Sequence, residues 1–212
     1  MRVPLHILLG ASMKRFLTAL VLCLILAAPS FAGWTRVAES VQPLQAMSDA
    51  GELRNICTTT SINRANGYWL TAAHCVNAPT FIQGEETVVV ARDTELDIAV
   101  LHTPTVRVKA LRLQRTQPKR GQRILMVGHP LGLSTQLFQG HISALSTNLP
   151  GSAKPYMMFD MTACGGNSGS SVVNSQDEIV SILQVGFGQG CSALTGGAPW
   201  AVLVKFIGQY VE

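Results

Sequence analysis

The sequence predicts an all-β fold, a barrel or a sandwich, and three observations carry that expectation. From Ile56 onward, short apolar and β-branched runs alternate with turn signals, which gives about a dozen candidate strands. Asn66-Gly67 falls between two such runs, and Asn-Gly is a strong short-range hairpin signal. Past Ile56, helical spacing of apolar residues shows only near the C-terminus, at Val204, Phe206, Ile207, Tyr210 and Val211.

The elements follow in chain order. Residues 33–54 show neither period and read as an N-terminal arm with a short helix near Leu44 to Ala50. Strands are expected at Ile56–Ile62 and Tyr68–Ala72, around the Asn66-Gly67 turn. Thr87–Arg92, Ile98–Thr103 and Gln122–Gly128 follow, the last running into the loop His129-Pro130-Leu131-Gly132. Thr135–Leu145, Tyr156–Met161, Ser170–Asn174, Ile179–Val185 and Ala198–Val204 complete the set, and Val204–Val211 reads as a C-terminal helix. Between Arg107 and Arg123 lie seven basic residues and no acid. Val106, Val108, Leu111 and Leu113 punctuate that segment, so it reads as a half-buried connector rather than a surface for an anionic partner.

Charged residues make up 13% of the 212-residue chain, and mean hydropathy is +0.27. Part of that apolarity has a separate cause. Lys14-Arg15 precede the apolar run Phe16–Ala28, and Pro29-Ser30-Phe31-Ala32 supplies a small-x-small end. Residues 1–32 therefore read as a secretory signal peptide cleaved after Ala32, with Met13 as serviceable a start as Met1. The apolar run is shorter than the about 20 residues a spanning helix needs, so membrane contact is expected only if this segment stays uncleaved. Residues 1–32 hold Arg2, Lys14 and Arg15 and no acid, so without them 13 basic residues face 12 acidic ones. A net charge of +1 gives no argument for nucleic acid as a partner. Without Cys23 four cysteines remain, Cys57, Cys75, Cys164 and Cys191. An even count in an exported chain favours disulfides, and four cysteines allow three pairings. No tight Cys-x-x-Cys or His-x-x-x-His spacing supports a metal site, so neither metal nor other cofactor is expected.

The chemistry concentrates in Cys164-Gly165-Gly166-Asn167-Ser168-Gly169. Glycines on both sides of Ser168 let backbone amides approach a bound carbonyl, and those of Gly166 and Ser168 are candidate oxyanion donors. A serine nucleophile needs a base and an orienting acid. Thr71-Ala72-Ala73-His74-Cys75 and Leu96-Asp97-Ile98-Ala99-Val100-Leu101 offer His74 and Asp97. The order His, Asp, Ser is that of chymotrypsin among the known triad orders. The spacings are 23 residues from His74 to Asp97 and 71 from Asp97 to Ser168. His102, His129 and His141 lack the Ala-Ala-His-Cys setting and read as surface or turn residues. Asp93 and Glu95 fall in the polar turn before the strand, and Ser170 and Ser171 begin the next one.

On these motifs, over roughly residues 55–205, the chain resembles the trypsin/chymotrypsin serine proteases, and most of all the bacterial branch with HtrA-like proteases and glutamyl endopeptidases. The resemblance implies two six-stranded Greek-key barrels and a C-terminal helix, with a protease domain over residues 55–212 and the site between the barrels. It implies the disulfides Cys57–Cys75 and Cys164–Cys191. It implies a Ser168–His74–Asp97 triad acting through an acyl-enzyme on protein or peptide substrates. Asn167 replaces the aspartate that pairs with a freed N-terminus in animal enzymes, so no zymogen cleavage of that kind is expected. No PDZ-sized segment follows residue 205 in this sequence, so a monomer is expected.

The same resemblance assigns a substrate pocket to Thr162, Ala163, Gln184, Val185 and Gly186, edged by Gly188-Gln189-Gly190. Thr162 puts no carboxylate at the pocket base, and Leu183-Gln184 supplies no histidine for an acidic side chain. Small or medium apolar P1 residues are therefore expected. Asp160 lies eight residues before Ser168 and reads as structural, as in HtrA-like sequences. Competing readings are a non-catalytic binding module on the same fold and a serine esterase.

Overall fold

Threonines set the seam of this molecule. In the computed structural model, which describes residues 32–188 and 190–211, strand β2 (Leu53–Asn63) carries Thr58, Thr59, Thr60 and Ser61 in succession, all buried. A strand that buries consecutive residues is covered on both faces. The buried hydroxyls find partners on both sides. Thr59 Oγ1 donates to Leu70 O in the N-terminal half at 3.0 Å, and Thr60 Oγ1 accepts from Ser171 N of the C-terminal half at 3.3 Å.

Helix α1 (Ala32–Ser40) and β1 (Val41–Met47) precede β2. β3 (Tyr68–Thr71), β4 (Thr80–Ile82), β5 (Glu85–Glu86), β6 (Val88–Asp93) and β7 (Ile98–His102) follow it. They form a seven-stranded sheet in the order β5-β4-β1-β2-β3-β7-β6, antiparallel throughout. The helix expected near Leu44 to Ala50 is instead strand. β1 pairs with β2 from Val41 opposite Thr60 to Met47 opposite Leu53, and Leu44 is fully buried. The first half thus has seven strands rather than the expected six, and two of them, β4 and β5, carry too few residues to show a period. β6 lies at the sheet edge, and Val88, Val89 and Val90 are exposed there despite their apolar run.

The second half is a closed six-stranded barrel, as expected. Its strands are β8 (Arg123–Gly128), β9 (Gln136–Asn148), β10 (Pro155–Phe159), β11 (Ser171–Val173), β12 (Ile179–Gly186) and β13 (Thr195–Gly197). The barrel order is β10-β13-β12-β11-β8-β9. The strand expected at Ala198–Val204 lies earlier, at Thr195–Gly197, and the chain then enters helix α2 (Trp200–Ile207). Pro199 sits just before α2, where a missing N–H costs nothing. Leu203 and Ile207, four apart on one face, are fully buried. They join Ile62 and Leu70 of the first half and Val127 and Ile182 of the second in one shared core. Leu111 of the basic connector is buried with them, and Leu113 bridges to Ile179.

The expected signal segment falls almost wholly outside the described residues. Among the described residues, no helix is long and apolar enough to cross a membrane.

Candidate active site

His74 is presented by a one-turn 3-10 helix (Ala73–Val76) that leaves β3 after Ala72. Its neighbour Cys75 is buried and joined to Cys57 on β2, so the turn is bolted to the seam strand. The imidazole itself is exposed, with 45% of its side-chain surface accessible.

Asp97 closes the turn between β6 and β7 in a left-handed conformation, φ 57°. Aspartate tolerates that region better than most residues. The turn is tied by Leu96 N donating to Asp93 Oδ1 at 2.8 Å. Asp97 Oδ1 accepts from His74 N at 2.9 Å, and its two oxygens lie 3.0 and 2.9 Å from His74 Nδ1. An ionised carboxylate only accepts, so Nδ1 must be the donor, and a neutral ring then offers Nε2 as a base. Burial raises the Asp97 pKa, but the His74 bonds and the Lys154 charge outweigh it and hold the carboxyl below its usual range.

The Ser168 loop is held from the other half of the seam. Thr58 N donates to Ser168 O at 2.9 Å, and Thr58 Oγ1 donates to Gly166 O at 2.8 Å while accepting from His129 N at 3.0 Å. Gly169, φ 85°, packs so tightly that a Cβ would lie 2.2 Å from Thr58 O. The Cys75 sulfur lies 3.9 Å from Ser168 O. The sequence thus ties the His74 turn and the Ser168 loop together through one strand residue, Thr58, and one disulfide. No hydrogen bond links Ser168 Oγ to the His74 ring among the described residues, and contacts of this kind tighten when substrate binds.

The Gly165–Gly166 peptide has a defined facing. Gly165 O accepts from Leu131 N at 2.7 Å. In a trans peptide the next N–H points the opposite way, so the Gly166 amide faces away from Leu131. Neither Gly166 N nor Ser168 N has an acceptor among the described residues. Gly166 adopts φ 94°, and a Cβ there would lie 2.5 Å from His129 O. Asn167 is fully buried with its side-chain oxygen and nitrogen free of protein partners.

The residues that the resemblance assigned to a substrate pocket separate into two groups. Ala163 exchanges backbone hydrogen bonds with Ser192 at 2.9 and 2.8 Å, beside the Cys164–Cys191 disulfide. Gly186 faces the same Ser192, 3.1 Å from its Cβ to a Cβ placed on the glycine. Thr162 and Gly186 are exposed and Val185 is half-buried. Gln184 departs from this set. Its Nε2 donates to Leu96 O at 2.7 Å and Asp97 O at 2.9 Å, so its side chain supports the aspartate turn rather than lining the pocket.

His129 is buried, not a surface residue, because its loop is clamped between Thr58 and Gly166. Burial lowers its pKa. His102 packs edge-on against Tyr68, and His141 pairs with Asp160 at 3.4 Å. Sequence reasoning missed Thr58 and Lys154. Four successive buried hydroxyl residues after Cys57 were the available sign of the first; a loop lysine gives none. Cys57, His74 and Cys75 cluster closely, but both sulfurs are spent in a disulfide and offer no thiolate to a metal.

Residues 57–182 match the family model described as trypsin-like peptidase domain. A probable periplasmic serine endoprotease DegP-like of Halomonas elongata is 32% identical over 126 residues, covering 55% of this chain and 27% of that protein. Serine endoprotease DegS of Haemophilus influenzae is 28% identical over 148 residues, covering 65% of this chain and 44% of that protein. The chain thus spans less than half the length of these relatives. Among solved structures, an HtrA-type protease AlgW with tripeptide superposes with a TM-score of 0.72 at 24% identity, over 87% of this chain and 64% of that one.

Two β-barrel-like halves with a hydrogen-bonded His–Asp pair at their seam define a chymotrypsin-like architecture. The chain belongs to the trypsin-like peptidase family.

Proposed function

We propose that this chain is a periplasmic serine endopeptidase acting on protein or peptide substrates, with Ser168 as nucleophile, His74 as general base and Asp97 as orienting acid. The observation that carries the reading is the Asp97 carboxylate on His74 Nδ1, which commits Nε2 to proton transfer. Ser168 Oγ attacks the scissile carbonyl as His74 Nε2 takes its proton. The amides of Gly166 and Ser168 hold the oxyanion, and His74 returns the proton to the leaving amine. Water then cleaves the acyl-enzyme by the same steps in reverse roles.

The peptidase domain corresponds to residues 55–212, completed by the 33–54 segment, which supplies β1 and the start of β2 to its first sheet, and residues 1–32 serve as an export signal. Thr162, Ala163, Val185 and Gly186 carry no charge, which supports small or medium apolar P1 residues. A peptide panel tests this: cleavage after Ala, Val or Leu that vanishes in Ser168→Ala supports the reading. Faster cleavage after Arg or Glu contradicts the pocket assignment. Ester hydrolysis with no amide hydrolysis contradicts the peptidase assignment.

A further inference from the structure

Asp97 has a cationic neighbour besides the His74 ring. Lys154, in the connection between β9 and β10 of the second barrel, places Nζ 3.6 Å from Asp97 Oδ2 and donates to Leu96 O at 3.1 Å. The same oxygen lies 2.9 Å from His74 Nδ1. Only 13% of the Lys154 side chain is exposed, although lysine normally keeps its head in water. Its ammonium lies over the Tyr156 ring, 5.2 Å from the ring centre.

We propose that Lys154 is a positioning residue of the triad: an ammonium from the second barrel that fixes Asp97 on the first half and opposes charging of His74. This rests on the triad reading above. Geometry supplies the reason. A carboxylate beside a histidine favours the imidazolium, which is useless as a base before attack. A cation sharing that carboxylate offsets part of its field. Lys154 and His74 Nδ1 both reach one oxygen, so they are at most about 6.5 Å apart, well inside a Debye length.

The groups around Nζ come from every packed element. Asp97 and Asp93 of the β6–β7 turn attract it, the His74 ring shares the Asp97 carboxylate with it, and Tyr156 on β10 faces it with its ring. Gln184 on β12 adds two neutral hydrogen bonds to the same turn. Burial lowers the Lys154 pKa, and Asp97 and Asp93 pull the other way. The second barrel thus grips the left-handed Asp97 turn with one charged and one neutral side chain.

The test is NMR titration of the His74 ring, assigned by its loss in His74→Asn, in the full chain and in Lys154→Met, Lys154→Gln and Lys154→Arg. The midpoint rises by about half a unit to one unit in the Met and Gln variants, the Coulomb effect of unit charges at that separation in a dielectric of roughly 40 to 80. Lys154→Arg stays with the parent. A midpoint unmoved in both neutral variants overturns the proposal, as does an Arg variant that titrates like the neutral ones. The readout needs no turnover, so it stands whether or not the parent cleaves peptides. In an active parent, the acid limb of kcat/KM follows the same shift, about three- to tenfold lost on its acid side. Loss of the parent's activity in Ser168→Ala tests the underlying triad separately.

Discussion

Leu131 N donates to Gly165 O at 2.7 Å, and in a trans peptide this turns the Gly166 amide away from Leu131. The neighbouring glycines therefore differ in what they tolerate. A Cβ on Gly166 would meet His129 O at 2.5 Å in a φ of 94°. A Cβ on Gly165 would meet nothing within 4 Å. Gly166→Ala is expected to lower kcat/KM by about 100-fold or more, the usual cost of a lost oxyanion donor. Gly165→Ala should stay within a few fold. Steady-state kinetics on one peptide, with circular dichroism to confirm folding, checks both.

His129 makes stability sensitive to mild acid. Burial lowers its pKa in the folded protein. Below about pH 6.5 the unfolded chain takes up a proton that the folded one refuses, so stability falls as pH drops and continues to fall until the folded pKa is passed. Asp97 acts lower down. Its depressed carboxyl contributes fully above about pH 4, the ordinary aspartate value, and its contribution fades as pH falls through the folded value. Urea unfolding between about pH 8 and 5 measures this slope, and His129→Gln, which removes the His129 share, is expected to flatten it.

The disulfides act on different parts of the site. Cys164 and Cys191 are 27 residues apart and close the wall that carries Ala163 and Ser192. Replacing both by serine is expected to cost about 3.5 kcal/mol of stability on the chain-entropy estimate. The remaining activity should be lost mainly through KM, because the pocket wall loosens while Thr58 still holds Ser168. Chemical denaturation and a KM-against-kcat comparison check this.

Much of this architecture was legible because the motifs are local. His74, Asp97 and Ser168 each carry flanking residues that mark them, and the four cysteines paired as the resemblance implied. What escaped depends on contacts between distant segments. Leu44 looked helical in a patternless stretch, and only its pairing with β2 makes it a strand. Val88–Val90 were legible as part of a strand, but their exposure at the sheet edge shows only in the strand order. His129 looked exposed because nothing local says that Thr58, 71 residues earlier, will clamp it. Gln184 and Lys154 reach the Asp97 turn from the opposite half, across 87 and 58 residues of chain.

The central claim is an activated Ser168 served by His74, and fluorophosphonate labelling of the folded chain tests it most directly. The parent is expected to label at Ser168, mapped by mass spectrometry, while Ser168→Ala and His74→Ala stay unlabelled. A folded, disulfide-intact parent that fails to label, or labels elsewhere, would contradict the account.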